Sequence, residues 1–341
     1  MEFFGDIRMK NKTHGWFLVL RSWILTLLFS CGSPDKSPEK SEETKISQPK
    51  IPTPNFNADS AYQHVKTQVD LGPRVPGSKA HEQCADFIIQ KLRSYRWEVV
   101  EQKASARTYD GKSFNLKNII GSFNIQNGKR IMLCAHWDTR PFADRDSVGQ
   151  DKPIDGADDG GSGVGVLLEV ARQVSISKPD VGLDLIFFDL EDYGQPQNSK
   201  FPENENSWCL GSQYWGEHPH KPGYYAQFGI LLDMVGGKNA VFPMEGTSMY
   251  YAPSIVEKVW KAASGIGYSN YFVSDRTNQT TDDHLYINAL ASIPCIDIVH
   301  YDPAAKDYGT FHHRHSDNIG NIDPQTLKVV GQTLLEVVYS N

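Results

Sequence analysis

The chain has 341 residues, enough for one large α/β domain or two modest ones. Its 39% hydrophobic and 11% aromatic content is that of a globular protein. A net charge of −7, with no basic run interleaved with aromatics, excludes nucleic acid as a natural partner.

The first element is an apolar run, WFLVLRSWILTLLFSC (residues 16–31), preceded by Lys10 and Lys12 and interrupted by Arg21. After Ser22 only eight residues precede Cys31, far short of the roughly 20 that span a bilayer. This pattern predicts a secretory signal. Its end, LFSC followed by Gly32 and Ser33, resembles a bacterial lipoprotein signal in which Cys31 is acylated. The expectation is an exported, periplasmic protein whose only membrane attachment is a lipid anchor at Cys31. Residues 32–54 are polar, charged and proline-punctuated, too poor in apolar side chains to fold, and read as a tether.

Folding is expected from residue 55 to residue 341 as a single domain. Ala61, Val65 and Val69, then Cys84, Phe87, Ile88 and Leu92, recur at helical spacing and predict helices over 58–70 and 79–95. Residues 97–104, 114–123 and 130–136 read as successive strands, with NGK (127–129) as a hairpin-type turn between the last two. A glycine-rich turn, GADDGGSG (156–163), leads into an apolar helix over 164–175. Continuous apolar strands follow at 183–190, 228–235 and 292–301, of the kind covered on both faces. Helices at about 253–264 and 324–339 fill the spaces. Alternation of this kind predicts an α/β protein, a three-layer α/β/α sandwich around a central mixed, mostly parallel β-sheet. The patternless stretches 191–213 and 302–320 are expected to be functional loops. Cys134 and Cys295 lie in apolar strands and read as buried thiols, and no cysteine spacing suggests a zinc finger.

The apolar strands end in chemistry. His136 and Asp138 follow the third strand, Glu191 and Asp192 the fourth, and Asp233 ends the fifth. Asp158 and Asp159 lie in the glycine-rich turn, Asp282, Asp283 and His284 in TTDDH, and His312, His313 and His315 in HHRH. Carboxylates and imidazoles gathered at one sheet edge are costly unless a cation joins them. Oxygen and nitrogen ligands without thiolate suit a catalytic zinc with an open position better than calcium or a structural cysteine site. Tryptophans 137, 208 and 215 are candidates for the walls of a small apolar pocket. Asp158 reads as a turn residue, Asp233 as support for the metal site, His284 as either functional or structural, and His218, His220 and His300 as surface residues.

In combination, these motifs resemble those of the zinc-dependent aminopeptidases and, within them, the glutaminyl-peptide cyclotransferases. The residues concerned are His136-Trp-Asp138, GADD ending at Asp159, FFDL-Glu191-Asp192, LLD ending at Asp233, DDH ending at His284, and His313-x-x-x-Asp317. The resemblance spans roughly residues 55–341. It implies one zinc ion per chain, held by Asp159, Asp192 and His313, with His312 and His315 as rivals for the third place. Asp192 stands where the animal enzymes carry a glutamate, one methylene longer. The resemblance also implies Glu191 as general acid/base and a proton-sharing carboxylate network of Glu191, Asp282 and Asp233. The substrate it implies is a peptide or protein beginning with glutamine, cyclised to pyroglutamate with release of ammonia. The alternative is an aminopeptidase in which His136 and Asp233 bind a second metal, and a third reading is a lipid-anchored binding module that lost catalysis. A monomer is favoured, the oligomeric state being otherwise open.

Overall fold

The computed structural model describes residues 51–302 and 304–341, so the signal segment, Cys31 and nearly all of the tether lie outside the described residues. The chain is already tied down at Thr53, whose Oγ1 donates to Glu336 Oε2, and at Pro54, whose carbonyl accepts from Gln332. Helix α1 (Ala58–Asp70) starts at an Asn57 cap and α2 (Lys79–Ser94) at a Ser78 cap, each side chain accepting a first-turn N–H. Strands β1 (Glu98–Arg107), β2 (Ser113–Phe123) and β3 (Arg130–His136) follow, then α3 (Gly161–Ile176), β4 (Gly182–Phe188), α4 (Leu210–Glu217) and β5 (Phe228–Asp233). The remainder is β6 (Phe242–Met244), α5 (Gly246–Tyr251), α6 (Pro253–Gly265), β7 (Phe272–Arg276), α7 (Asp283–Ala291), β8 (Cys295–Val299) and α8 (Pro324–Tyr339), with minor strands after β8.

The main sheet runs β1-β2-β4-β3-β5-β8. β1 and β2 join antiparallel, as do β2 and β4, while β4, β3, β5 and β8 are parallel to one another. Every residue of β3, β4 and β8 is buried, as continuous apolar runs require when helices cover both faces. Alternate residues feed two cores. Leu133, Leu185 and Leu232 meet α1, α3, α6 and α8, and Cys134, Phe188 and Leu231 meet α4 and α7. The expected three-layer α/β/α architecture with a mixed, mostly parallel sheet is the one found.

The sequence reading needs three corrections. Residues 127–129 are not a hairpin turn, because β4 lies between β2 and β3. The apolar LDLIFF run takes that interior place, and Arg130 locks it by a fork to Asp184 (2.7 and 2.8 Å) and by bonds to the carbonyls of Phe123 and Asn124. The stretch 191–213 ends inside α4, which, like α5 and α7, is too short and too rich in polar and glycine residues to show a helical period. His300 is buried and His220 half-buried, its Nδ1 accepting from the Trp215 indole, whereas His218 is exposed as expected. Cys84, Cys134, Cys209 and Cys295 are all buried free thiols.

Candidate active site

Because β3, β4 and β5 are parallel, their carboxyl ends open on one edge of the sheet, where ligands of such sheets bind. Three loops converge there. The turn into α3 carries Asp159, and its backbone is held by Asp317, whose two oxygens accept the N–H groups of Asp158 and Asp159 at 2.8 and 3.1 Å. The loop after β4 carries Glu191 and Asp192, and Asp138 holds it the same way, accepting their N–H groups at 3.1 and 3.2 Å. The loop before α8 carries His313, whose left-handed backbone (φ 55°) turns its ring back toward the sheet.

His313 Nε2 lies 3.3 Å from Asp192 Oδ1 and 3.8 Å from Asp159 Oδ2, so the structure brings these three residues together. On the other side of its ring, Nδ1 faces Asp144 Oδ1 at 3.4 Å, and Asp144 is itself gripped by the buried Arg140 through a fork of 2.7 and 2.8 Å. A carboxylate behind the imidazole is the arrangement that orients a metal-ligating histidine. His312 also comes within 4.8 Å of Asp159 and His313, but His315 is turned away to Asp146. Of the three, His313 alone lies near both carboxylates and has a carboxylate behind its other ring nitrogen, which makes it the stronger candidate for the third place.

Electrostatics set the site apart. Burial lifts the Asp192 carboxyl to about 6, with the neighbouring Asp159 adding to the effect. Burial works on Asp159 as well, yet its bond to His136 and the nearby imidazoles hold it below the ordinary carboxylate range. Glu191 is driven well above that range by burial, which His136 opposes and Asp282 and Asp192 reinforce. Asp233 rises to about 7, again through burial, and Asp282 rises for the same reason. Such a group of carboxyls with separated affinities for the proton is suited to acid and base work.

The residues fit a zinc ion. Asp159 Oδ2 and both oxygens of Asp192 are buried and, among the described residues, have no hydrogen-bond partner. Orphaned carboxylate oxygens facing an oriented imidazole nitrogen are the donor set that zinc satisfies. Two sets at this edge bring their ligand atoms within 4.8 Å of one another, Asp159 with His312 and His313, and His136 with Asp159 and Asp233. In the second, His136 Nε2 lies 3.1 Å from Asp159 Oδ1 and 3.2 Å from Asp233 Oδ1, placed between the two acids.

A cavity of about 180 Å³ opens over Asp159, Glu191, Asp192, Asp233, Asp282 and His313. Of the three candidate tryptophans only Trp208 lines it, stacked on His313 at 5.8 Å and lying over Arg140 at 4.5 Å. Trp137 stacks on His81 and Trp215 packs beside Phe188, both fully buried in the cores. Asp158 binds the Gly236 N–H and is a turn residue with a structural partner. Sequence reasoning missed Arg140, Asp144 and Cys209, whose thiol meets Glu191 Oε1 at 3.2 Å. The i,i+4 spacing of Arg140 and Asp144, four and eight residues past His136, is the signal that was available for the first two.

Residues 118–338 match the model of peptidase family M28. Among solved structures the chain is similar to the Bacteroides thetaiotaomicron glutaminyl cyclase bound to N-acetylhistamine, at 51% identity and a TM-score of 0.83, covering 85% of this chain and 100% of that one. It is similar in like degree to a Zn-dependent exopeptidase from Parabacteroides distasonis, at 49% identity and a TM-score of 0.83 over 85% of this chain and 100% of that one. Among curated relatives it is 25% identical to Bacillus subtilis aminopeptidase YwaD over 82% of this chain, and spans about half, 55%, of that protein's length.

Proposed function

The chain belongs to peptidase family M28, and from that premise we propose that it is a zinc-dependent glutaminyl-peptide cyclotransferase that converts the N-terminal glutamine of peptides and proteins to pyroglutamate. The observation that carries this reading is the cavity itself. Asp282 and Asp233 stand with Glu191 beside the triad of Asp159, Asp192 and His313, a carboxylate network placed to move protons rather than to bind further charge. The solved glutaminyl cyclase at 51% identity supports it.

Asp159, Asp192 and His313 would hold the zinc, one ion per chain, with His136 lying between Asp159 and Asp233 on the far side of Asp159. The chemistry zinc supplies when bound is Lewis-acid polarisation of the γ-carboxamide carbonyl. Glu191, poised by burial to exchange a proton, takes one from the α-amine as that nitrogen attacks the carboxamide carbon. A C–N bond forms, the bond to the amide nitrogen breaks, and Glu191 delivers its proton to that nitrogen, which leaves as ammonia. Asp282 accepts a hydrogen bond from the departing amide nitrogen and so fixes the direction of collapse, while Asp233 supports His136. Trp208 closes the cavity over His313 and excludes water, and the ring closure gains from having nucleophile and electrophile on one residue.

The second reading, hydrolysis of N-terminal residues with two metals, rests on the proximity of His136, Asp159 and Asp233. Pyroglutamate formation from Gln-initiated peptides, measured beside zinc content on one preparation, separates the two. Cyclisation with about one zinc per chain supports the proposal, and release of free N-terminal residues with about two overturns it. Export and a lipid anchor at Cys31 are further parts of this reading, supported by the LFSC-Gly-Ser pattern. Radiolabelled palmitate incorporation that is lost in Cys31→Ala tests them.

A further inference from the structure

From Asp282 a chain of buried polar side chains continues inward, away from the zinc site. Asp282 Oδ1 accepts the Asp283 N–H at 2.5 Å as the cap of α7. One ring nitrogen of His284 lies within 4.8 Å of a carboxyl oxygen of Asp282 and of one of Asp297. His284 Nε2 is bonded to Glu245 Oε2 at 3.0 Å. Glu245 cannot turn, because its two oxygens also accept the N–H groups of Thr247, Ser248 and Thr280 and the Ser248 hydroxyl. That same hydroxyl accepts the Asp297 N–H at 2.9 Å, which ties β8 to the assembly.

Against this tight grip on one side, the other side is unsatisfied. His284 and Asp297 are 0% exposed, and neither His284 Nδ1 nor either carboxyl oxygen of Asp297 has a hydrogen-bond partner among the described residues. A buried polar atom left unpaired is costly, so three in one place call for a shared proton or a ligand between them. Asp282, meanwhile, shares the cavity with Glu191 and Asp233, and its Oδ1 is tied only to the N–H of the next residue.

We propose that His284 is a positioning residue: locked by Glu245 through Nε2, its ring packs beside the carboxyls of Asp282 and Asp297 and fixes the place of Asp282 in the cavity it shares with Glu191, while Nδ1 and Asp297 share a proton. The role rests on the cyclotransferase reading, in which Asp282 receives the departing nitrogen. His284 touches neither substrate nor zinc, and acts by keeping one orientation of an acid that does touch substrate. The arrangement repeats the logic of an acid that orients an imidazole that orients a reacting group.

The test uses the zinc-loaded protein with His284→Leu, His284→Gln and Asp297→Asn. It combines steady-state kinetics on a Gln-initiated peptide with zinc content and 15N NMR of the imidazoles. His284→Leu is expected to lower kcat by about 10–100-fold, the usual cost of losing an orienting partner, with KM and zinc content unchanged. His284→Gln, whose carboxamide can still meet Glu245, restores part of that loss. In the wild type both ring nitrogens of His284 are expected to report hydrogen bonds, and Asp297→Asn is expected to move the Nδ1 signal. An unaltered kcat in His284→Leu overturns the proposal, as does an Nδ1 signal indifferent to Asp297→Asn. Loss of a bound zinc in either variant makes this a cation site instead and also overturns it. Should His284→Leu fail to fold, Asp297→Asn preserves shape and carries the decision by kcat and NMR. A wild-type protein that leaves Gln-peptides unchanged refutes the cyclotransferase reading separately, and the NMR arm still decides whether His284 and Asp297 share a proton.

Discussion

Replacing Asp144 by Asn is expected to weaken zinc binding without disturbing the ligands themselves. Asp144 Oδ1 lies 3.4 Å from His313 Nδ1, and the Arg140 fork at 2.7 and 2.8 Å keeps it there. Burial acts to raise the Asp144 carboxyl, but its bonds to Arg140 and His313 hold it well below the usual range, so the wild-type residue is a full anion at working pH. The carboxamide keeps the shape and one acceptor and removes the charge. Loss of such an orienting anion costs 10–100-fold in metal affinity, or about 1.4–2.7 kcal/mol. A second effect runs the same way. Arg140, 0% exposed, is left with Asp192 as its nearest carboxylate, at 3.6 Å, and competes with the ion for that ligand. Destabilisation of the metal-free protein is expected to stay below the roughly 3–5 kcal/mol of a fully buried pair, because the Asp144 side chain is 17% exposed. Competition titration against a chelator of known affinity measures the ratio of zinc dissociation constants, and melting of the metal-free proteins measures stability. Asp146→Asn, half-buried and paired with His315 rather than with His313, serves as the control. A zinc affinity unchanged within about twofold, with only the metal-free melting temperature lowered, would refute the claim that Asp144 acts through His313.

Glu191→Gln is expected to lower kcat for pyroglutamate formation by about 10²–10⁴-fold while zinc content stays the same, because the amide cannot carry the proton; an ammonia-release assay reads this. Chelation is expected to abolish turnover and lower the melting temperature, with both restored by zinc, since at a thousandfold excess over the dissociation constant the ion stabilises the fold by about 4 kcal/mol; differential scanning calorimetry checks the shift. His64 supplies a pH prediction remote from the zinc site. Burial, aided by Lys91, lowers it from 6.5 to about 4, so the unfolded chain binds its proton first. Its contribution is complete above pH 6.5 and is lost as pH falls toward 4. Relative to His64→Leu, the wild type is therefore expected to lose about 3 kcal/mol across that interval, measured by urea unfolding at each pH.

The fold was legible wherever burial leaves a one-dimensional trace. β3, β4, β5 and β8 lie in apolar runs because both faces are covered, and α1, α2, α6 and α8 show a helical period because each buries one face against the sheet or a neighbouring helix, while α3 is buried nearly all round. Strand order was not legible, since the pairing of β2 with β4 depends on which strand tolerates an interior position, and NGK reads as a turn regardless of what it joins. The proposed ligand set was readable only as a combination of motifs, because His312 and His313 differ by a backbone turn (φ 55° at His313) that no composition encodes. Arg140 and Asp144 went unread for a related reason: beyond the strand end they resemble any i,i+4 surface pair, and only the fold buries the arginine against Trp208 and Asp192.

Two kinds of acid occupy the site, and their division explains why so many can coexist there. Asp138 and Asp317 spend both oxygens on consecutive backbone N–H groups, those of Glu191 and Asp192 and those of Asp158 and Asp159. These bonds secure loops that begin or end in left-handed residues, Leu190 (φ 56°) and Gly160 (φ 81°), of which the non-glycine costs on the order of 1–3 kcal/mol and persists only where its surroundings fix it. With the backbone satisfied by acids that never meet the ion, the side chains of Asp159 and Asp192 are left with unpaired oxygens pointed at His313. A fold that used its ligands to hold its own loops would have nothing left to offer a cation. Here the supporting carboxylates make the unsatisfied ones possible, and a zinc bound among them would resolve them.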